Sequence, residues 1–133
     1  MAHPVKIQLD IGFANFELYE DYLVATVKEG VVLEAKEMEK FHDIFSNHYS
    51  NRPFGYISNR KNDYTINPTY YKEIEKYNIN LVGIATLCYT NASYNTAKFA
   101  EKFFSWPHEA FFTLEECVAW INQLLEKQKK ADL

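Results

Sequence analysis

Only two cysteines occur in 133 residues, too few for a disulfide framework. Cys88 and Cys117 each lie in an apolar run, so both are expected as buried, reduced thiols. Glycine and proline number four each, which excludes collagen-like and linker-rich chains. No apolar run approaches the roughly 18–20 residues of a membrane span. Positive charge does not dominate either. Fourteen Lys and Arg stand against eighteen Asp and Glu, for a net charge of −4. Such a chain lacks the cationic surplus on which non-specific nucleic-acid binding rests, so no nucleic-acid partner is expected. The first residues show no basic region followed by an apolar stretch, and a cytoplasmic location is expected. Lys127, Lys129 and Lys130 are too few to anchor a chain at a membrane surface and read as a solvated helix end.

What is present is apolar and aromatic. Apolar residues make up 47 % and charged residues 24 %, the balance of a folded globular chain. Aromatic content is 17 %, with ten Tyr, ten Phe and two Trp. The length fits one domain, 1–133, with its core over about 13–125.

The hydrophobic pattern divides this domain into elements. Val5, Ile7, Leu9 and Ile11 alternate with polar residues and predict an edge strand over 5–11. Residues 15–19 and 22–28 read as a hairpin about Glu20-Asp21. Residues 34–49 follow helical spacing, with Met38, Phe41, Phe45 and Tyr49 on one face. Phe54 to Asn59 is apolar on both sides, as in a central strand. Residues 60–66 read as a polar loop. Asn67-Pro68 marks a helix start, and that helix is expected over 68–77. Leu81 to Cys88 is a buried strand. Asn91 or Ser93 opens a helix to Phe104, and residues 109–113 form a last strand. Thr113 and Glu116 are spaced as a capping box, with Phe112 placed to staple against Cys117. The helix that follows carries Leu114, Cys117, Val118, Ile121, Leu124 and Leu125 on one stripe. The fold class is therefore α/β: a mixed, largely parallel sheet of about four to six strands with about four helices on it.

That order resembles the STAS domain, and more closely the SpoIIAA-like group of small single-domain proteins. The resemblance is carried by Phe54-Gly55-Tyr56-Ile57-Ser58-Asn59-Arg60, by Tyr64-Thr65-Ile66-Asn67-Pro68, by the strand from Leu81 to Cys88, and by Phe111-Phe112 followed by Glu115-Glu116-Cys117-Val118-Ala119-Trp120-Ile121. It covers about Phe13 to Leu125. It implies either a regulatory module that binds a protein partner or, through the related CRAL-TRIO domains, a carrier of an apolar or lipid-like ligand. The anti-sigma-factor antagonists of this group are phosphorylated on a serine in an Asp-Ser-Ser-Gly-like motif. Here the corresponding stretch reads Asn67-Pro68-Thr69-Tyr70, and Thr69 is the nearest hydroxyl.

The residues also suggest where a site belongs. In open α/β sheets ligands bind beyond the carboxyl ends of the strands. Those ends bring Asn59, Arg60, Asn62, Tyr64, Thr65 and Asn67 from one loop and Asn91 and Tyr94 from the next. Asn and Tyr suit recognition better than proton transfer. Arg60 is a guanidinium able to pair with a carboxylate or phosphate, unless Asp63 neutralises it. Catalytic signals are thin. His3, His42, His48 and His108 have no metal-ligand spacing, and no phosphate-binding or nucleophile-elbow motif occurs. The expectation is a non-enzymatic module without metal or cofactor. Its partner is a protein, with an apolar ligand as the alternative, and aromatic residues beyond the core's needs are available for a pocket or a homodimer patch.

Overall fold

The computed structural model describes residues 7–50, 52–67, 70 and 80–131. Six strands form one sheet in the order β1-β2-β3-β5-β7-β8. They are β1 (Ile7–Asp10), β2 (Ala14–Leu18), β3 (Tyr22–Val27), β5 (Phe54–Asn59), β7 (Leu81–Leu87) and β8 (His108–Phe111). The first two pairings are antiparallel and the other three parallel. The expected edge strand is thus real over Ile7–Asp10. Gly12, at φ 94°, turns the chain from β1 into β2, and its N–H is held by the Asp10 carboxylate at 2.9 Å. Few residues other than glycine adopt that conformation.

Alternation along the strands sends side chains to two faces. On one face, Phe16, Leu23, Ala25 and Phe54 pack against Met38, Phe41, Phe45 and Tyr49 of α1 (Ala35–Tyr49). On the other, Val24, Ile57 and Ala85 pack against Cys117, Ile121 and Leu125 of α3 (Leu114–Ala131). The last helix comes close because Gly55 and Gly83 have no side chain. A Cβ on Gly55 would lie 2.7 Å from Ile121 Cδ1, and one on Gly83 would lie 3.1 Å from the Trp120 ring. The remaining helix, α2 (Asn91–Ala100), joins β7 to β8 and buries Ala97 beside Ala110 and Cys88.

Several local expectations shift. Residues 60–66 are not all loop, because β6 (Thr65–Ile66) pairs in parallel with β4 (Val32–Leu33). Thr90, not Asn91 or Ser93, caps α2, its hydroxyl accepting the Ser93 N–H at 3.0 Å. That helix stops at Ala100 and tightens into a 3-10 turn, Glu101–Phe103, instead of reaching Phe104. The tightening sets the Phe104 ring 4.9 Å from His108. The last strand lies one to two residues earlier than expected. Phe112 stacks on Tyr94 at 5.2 Å and stays half exposed. Three α-helices stand among the described residues, against about four expected. The helix expected over 68–77, and Thr69 with it, falls outside them except for Tyr70. Both cysteines are free and buried. Among the described residues no helix is long and apolar enough to cross a membrane.

Candidate functional site

The strand order β3-β5-β7-β8 advances in one direction. Among the described residues there is no reversal, hence no switch-point crevice of the kind that houses ligands in doubly wound sheets. The concave site lies instead on the sheet face, between α1 and α2. It is a cavity of about 280 Å³. Met38, Phe41 and Phe45 of α1 form one wall, and Ala97 and Ala100 of α2 another. Tyr56 and Ile84 rise from the sheet, Leu33 and Ile66 close one end, and Phe104 and Trp106 line it after α2.

Polar groups gather at the carboxyl-terminal end of the strands. Alternation along β5 puts Tyr56, Ser58 and then Arg60 on the cavity face. Ser58 sits beside Thr86 in register, and its hydroxyl meets the Tyr64 hydroxyl at 3.2 Å. The Arg60 guanidinium lies over the Tyr64 ring, 4.2 Å from its centroid. On the far side, His108 bridges two groups. Its Nδ1 is 3.0 Å from Glu101 Oε1, and its Nε2 is 2.9 Å from Thr86 Oγ1.

Protons in that chain follow from charge. Burial would raise the Glu101 pKa, but hydrogen bonds from Lys98 and His108 outweigh it and hold the carboxyl below its ordinary value. Burial pushes His108 down, against the pull of Glu101. At neutral pH a carboxylate therefore faces a neutral imidazole. Nδ1 carries the proton and donates to Glu101; Nε2 accepts the Thr86 hydroxyl proton. Thr86 then presents lone pairs to the cavity.

Glu101, His108 and Thr86 stand in the order of a catalytic triad. The setting differs from one. Thr86 lies mid-strand and is 6 % exposed, and β7 is paired on both sides. The backbone N–H groups beside Thr86 are engaged in the sheet and not grouped as an oxyanion hole. A Cys88–His108 nucleophile pair does not form, since both imidazole nitrogens have other partners. Burial raises the Cys88 thiol pKa and pushes that of Cys117 up to about 12, which leaves both thiols unreactive.

The loop residues picked from the sequence divide into two groups. Arg60, Tyr64 and Thr65 line the cavity. Asn59 donates to Thr26 Oγ1 at 3.0 Å and accepts from the exposed Tyr89 hydroxyl at 2.7 Å. Asn62 donates to the Val27 carbonyl at 3.0 Å. Asn67 and Asn91 are exposed, and Tyr94 packs beside Cys88 and Phe112. The two loops do meet, with the Arg60 N–H on the Leu87 carbonyl at 3.0 Å, but Asn59 and Asn62 tie the first loop to β3 and to Tyr89 instead of facing the cavity. Sequence reasoning missed Ser58, Thr86, His108 and the aromatic wall of α1. The residue alternation along β5 was the available signal for Ser58.

No protein-family model matches the chain, and no curated protein matches its sequence. Among solved structures it is similar to an uncharacterised DUF3478-family protein with a SpoIIAA-like fold from Shewanella loihica PV-4. The TM-score is 0.58 at 12 % identity, covering 81 % of this chain and 91 % of that one. The chain has a SpoIIAA-like fold. The likeness at this identity is one of architecture.

Proposed function

We propose that the protein is a non-enzymatic module that binds a small apolar or amphiphilic ligand and reports its presence. One observation carries this: a cavity of about 280 Å³, walled by aromatic and aliphatic side chains, with its polar groups gathered at one end. Small-molecule sites have that composition, at volumes of roughly 300–1,000 Å³. The volume here is at the low end, so the fit is to one short chain or ring system and not to a two-chain lipid. The reading reverses the order favoured by the loops alone, in which a protein partner came first.

A regulatory output remains part of the proposal. Ala97 and Ala100 of α2 line the cavity, while Tyr94 on the same helix stacks on the exposed ring of Phe112. A ligand that moves α2 moves that aromatic surface, and aromatic residues are common anchors for protein partners.

The test is binding of a neutral fluorescent probe, N-phenyl-1-naphthylamine, with native mass spectrometry of the purified protein alongside. The wild type is expected to enhance probe fluorescence and 1-octanol to displace the probe. Ala100→Trp, which fills the cavity, should abolish both effects while the far-ultraviolet dichroism stays native. Amide resonances of Tyr94 and Phe112 should shift as the probe binds. A protein of bare mass that leaves the probe dark sinks the proposal.

A further inference from the structure

Among the described residues lining the cavity, Arg60 alone carries a permanent charge. His108 is neutral at pH 7, because burial opposes its protonation more than Glu101 favours it. Behind the imidazole, Glu101 and Lys98 balance one another at 2.8 Å, and Glu109 joins Lys98 at 3.3 Å. Arg60 belongs to no such pair. The ion pairs among the described residues involve other side chains, so Asp63 does not neutralise it. Stacking on Tyr64 covers one face of the guanidinium. Its N–H edges have no protein acceptor among the described residues. The ring answers one face of the cation, and the N–H edges are left to accept an anion.

We propose that the cavity takes a small amphiphilic monoanion, its carboxylate on the N–H edges of Arg60 and its apolar body against Phe41, Phe45, Tyr56 and Trp106. This rests on the ligand-binding reading and adds the ligand's chemical class. Three features select it. The planar guanidinium fork matches a carboxylate in two parallel hydrogen bonds. One cation balances one negative charge, whereas a phosphate dianion leaves an excess charge in an apolar cavity and an ammonium adds a second cation. Thr86 donates its hydroxyl hydrogen bond to His108 Nε2, so its lone pairs repel an anion from the sheet floor and direct the headgroup to Arg60. The same lone pairs accept a hydroxyl or amide N–H elsewhere on the ligand.

The experiment is displacement of N-phenyl-1-naphthylamine at pH 7.5 by four eight-carbon probes: octanoate, 1-octanol, octylammonium and octyl phosphate. Octanoate should bind at least about tenfold tighter than 1-octanol, the size of one charge-assisted hydrogen-bonded contact. Octylammonium should bind more weakly than either. Arg60→Gln should erase the octanoate advantage and leave 1-octanol unchanged, and Arg60→Lys should keep part of it. Equal binding of octanoate and 1-octanol, or a preference that survives Arg60→Gln, overturns the monoanion and leaves the ligand-binding reading standing. Octyl phosphate binding tighter than octanoate overturns the carboxylate assignment in favour of a phosphate. Failure of the neutral probe itself to bind removes both the reading and this inference.

Discussion

Tyr49 is fully buried, and its single hydroxyl hydrogen is shared between two backbone carbonyls, Tyr22 at 2.7 Å and Tyr19 at 2.9 Å. Its ring stacks on Phe54 at 4.4 Å. One side chain from the last turn of α1 thus holds the turn between β2 and β3, reinforcing the Tyr22 carbonyl, which also accepts the Tyr19 N–H at 2.9 Å, and supplying a donor to the Tyr19 carbonyl. Burial raises the phenol pKa further above its ordinary value, so the hydroxyl stays a donor throughout the accessible pH range. Tyr49→Phe keeps the ring and removes the donor. The expected loss is about 1–3 kcal/mol, the cost of taking the hydroxyl donor from the buried Tyr19 carbonyl, read from urea unfolding. A loss below a few tenths would mean that water reaches those carbonyls. This role was invisible in the sequence. Helical spacing put Tyr49 on the buried face, but its acceptors lie 30 and 27 residues away, a separation only the fold closes.

At the scale of elements, the contact between α3 and the sheet depends on two missing side chains. Three atoms of Ile121 lie within 3.0 Å of where a Gly55 Cβ would be. Ile121 is fully buried and β-branched, so it has few other rotamers to adopt. At Gly83 the closest clash is with the end of Leu124, an unbranched-at-Cβ side chain that can turn aside. Gly55→Ala should therefore destabilise by about 1–3 kcal/mol and Gly83→Ala by less, measured as shifts in the urea midpoint. The reverse order would show that α3 slides as a unit instead of straining at Ile121. The elements themselves were legible wherever periodicity is strong: β5 and β7 as apolar runs, α1 and α3 as stripes. The β4–β6 pair was not, because two-residue strands contain too little alternation to register. The end of α2 was misread because Phe103 and Phe104 continue the apolar pattern after the backbone has tightened. The site shows the same division. Arg60 and Tyr64 stand out in a loop, whereas Thr86 and His108 belong to two strands 22 residues apart and look like ordinary strand residues.

For the whole molecule, the Glu101–His108–Thr86 chain, buried at His108 and Thr86, ties stability to pH. His108 is packed by Glu101, Thr86, Lys98, Glu109 and the Phe104 ring. Its pKa in the folded protein lies below the ordinary 6.5, so the unfolded chain binds the proton first as pH falls. Stability rises with pH wherever the unfolded state holds more protons. The folded state is therefore fully favoured above about pH 7 and loses this contribution from there down to the depressed folded pKa. Glu101, also lowered, adds a second loss at more acid pH, as the unfolded carboxyl takes up its proton near its ordinary 4.5. Both groups act in the same direction, so stability should fall with acid over two successive pH ranges. Urea unfolding at pH 8, 7, 6 and 5 should show stability decreasing below pH 7 in the wild type. In His108→Asn, with the titrating ring gone, the decrease between pH 7 and pH 5.5 should be smaller, whatever the variant's baseline stability. Equal slopes in the two proteins would mean that His108 titrates alike folded and unfolded, and hence that water enters the cavity as far as the imidazole.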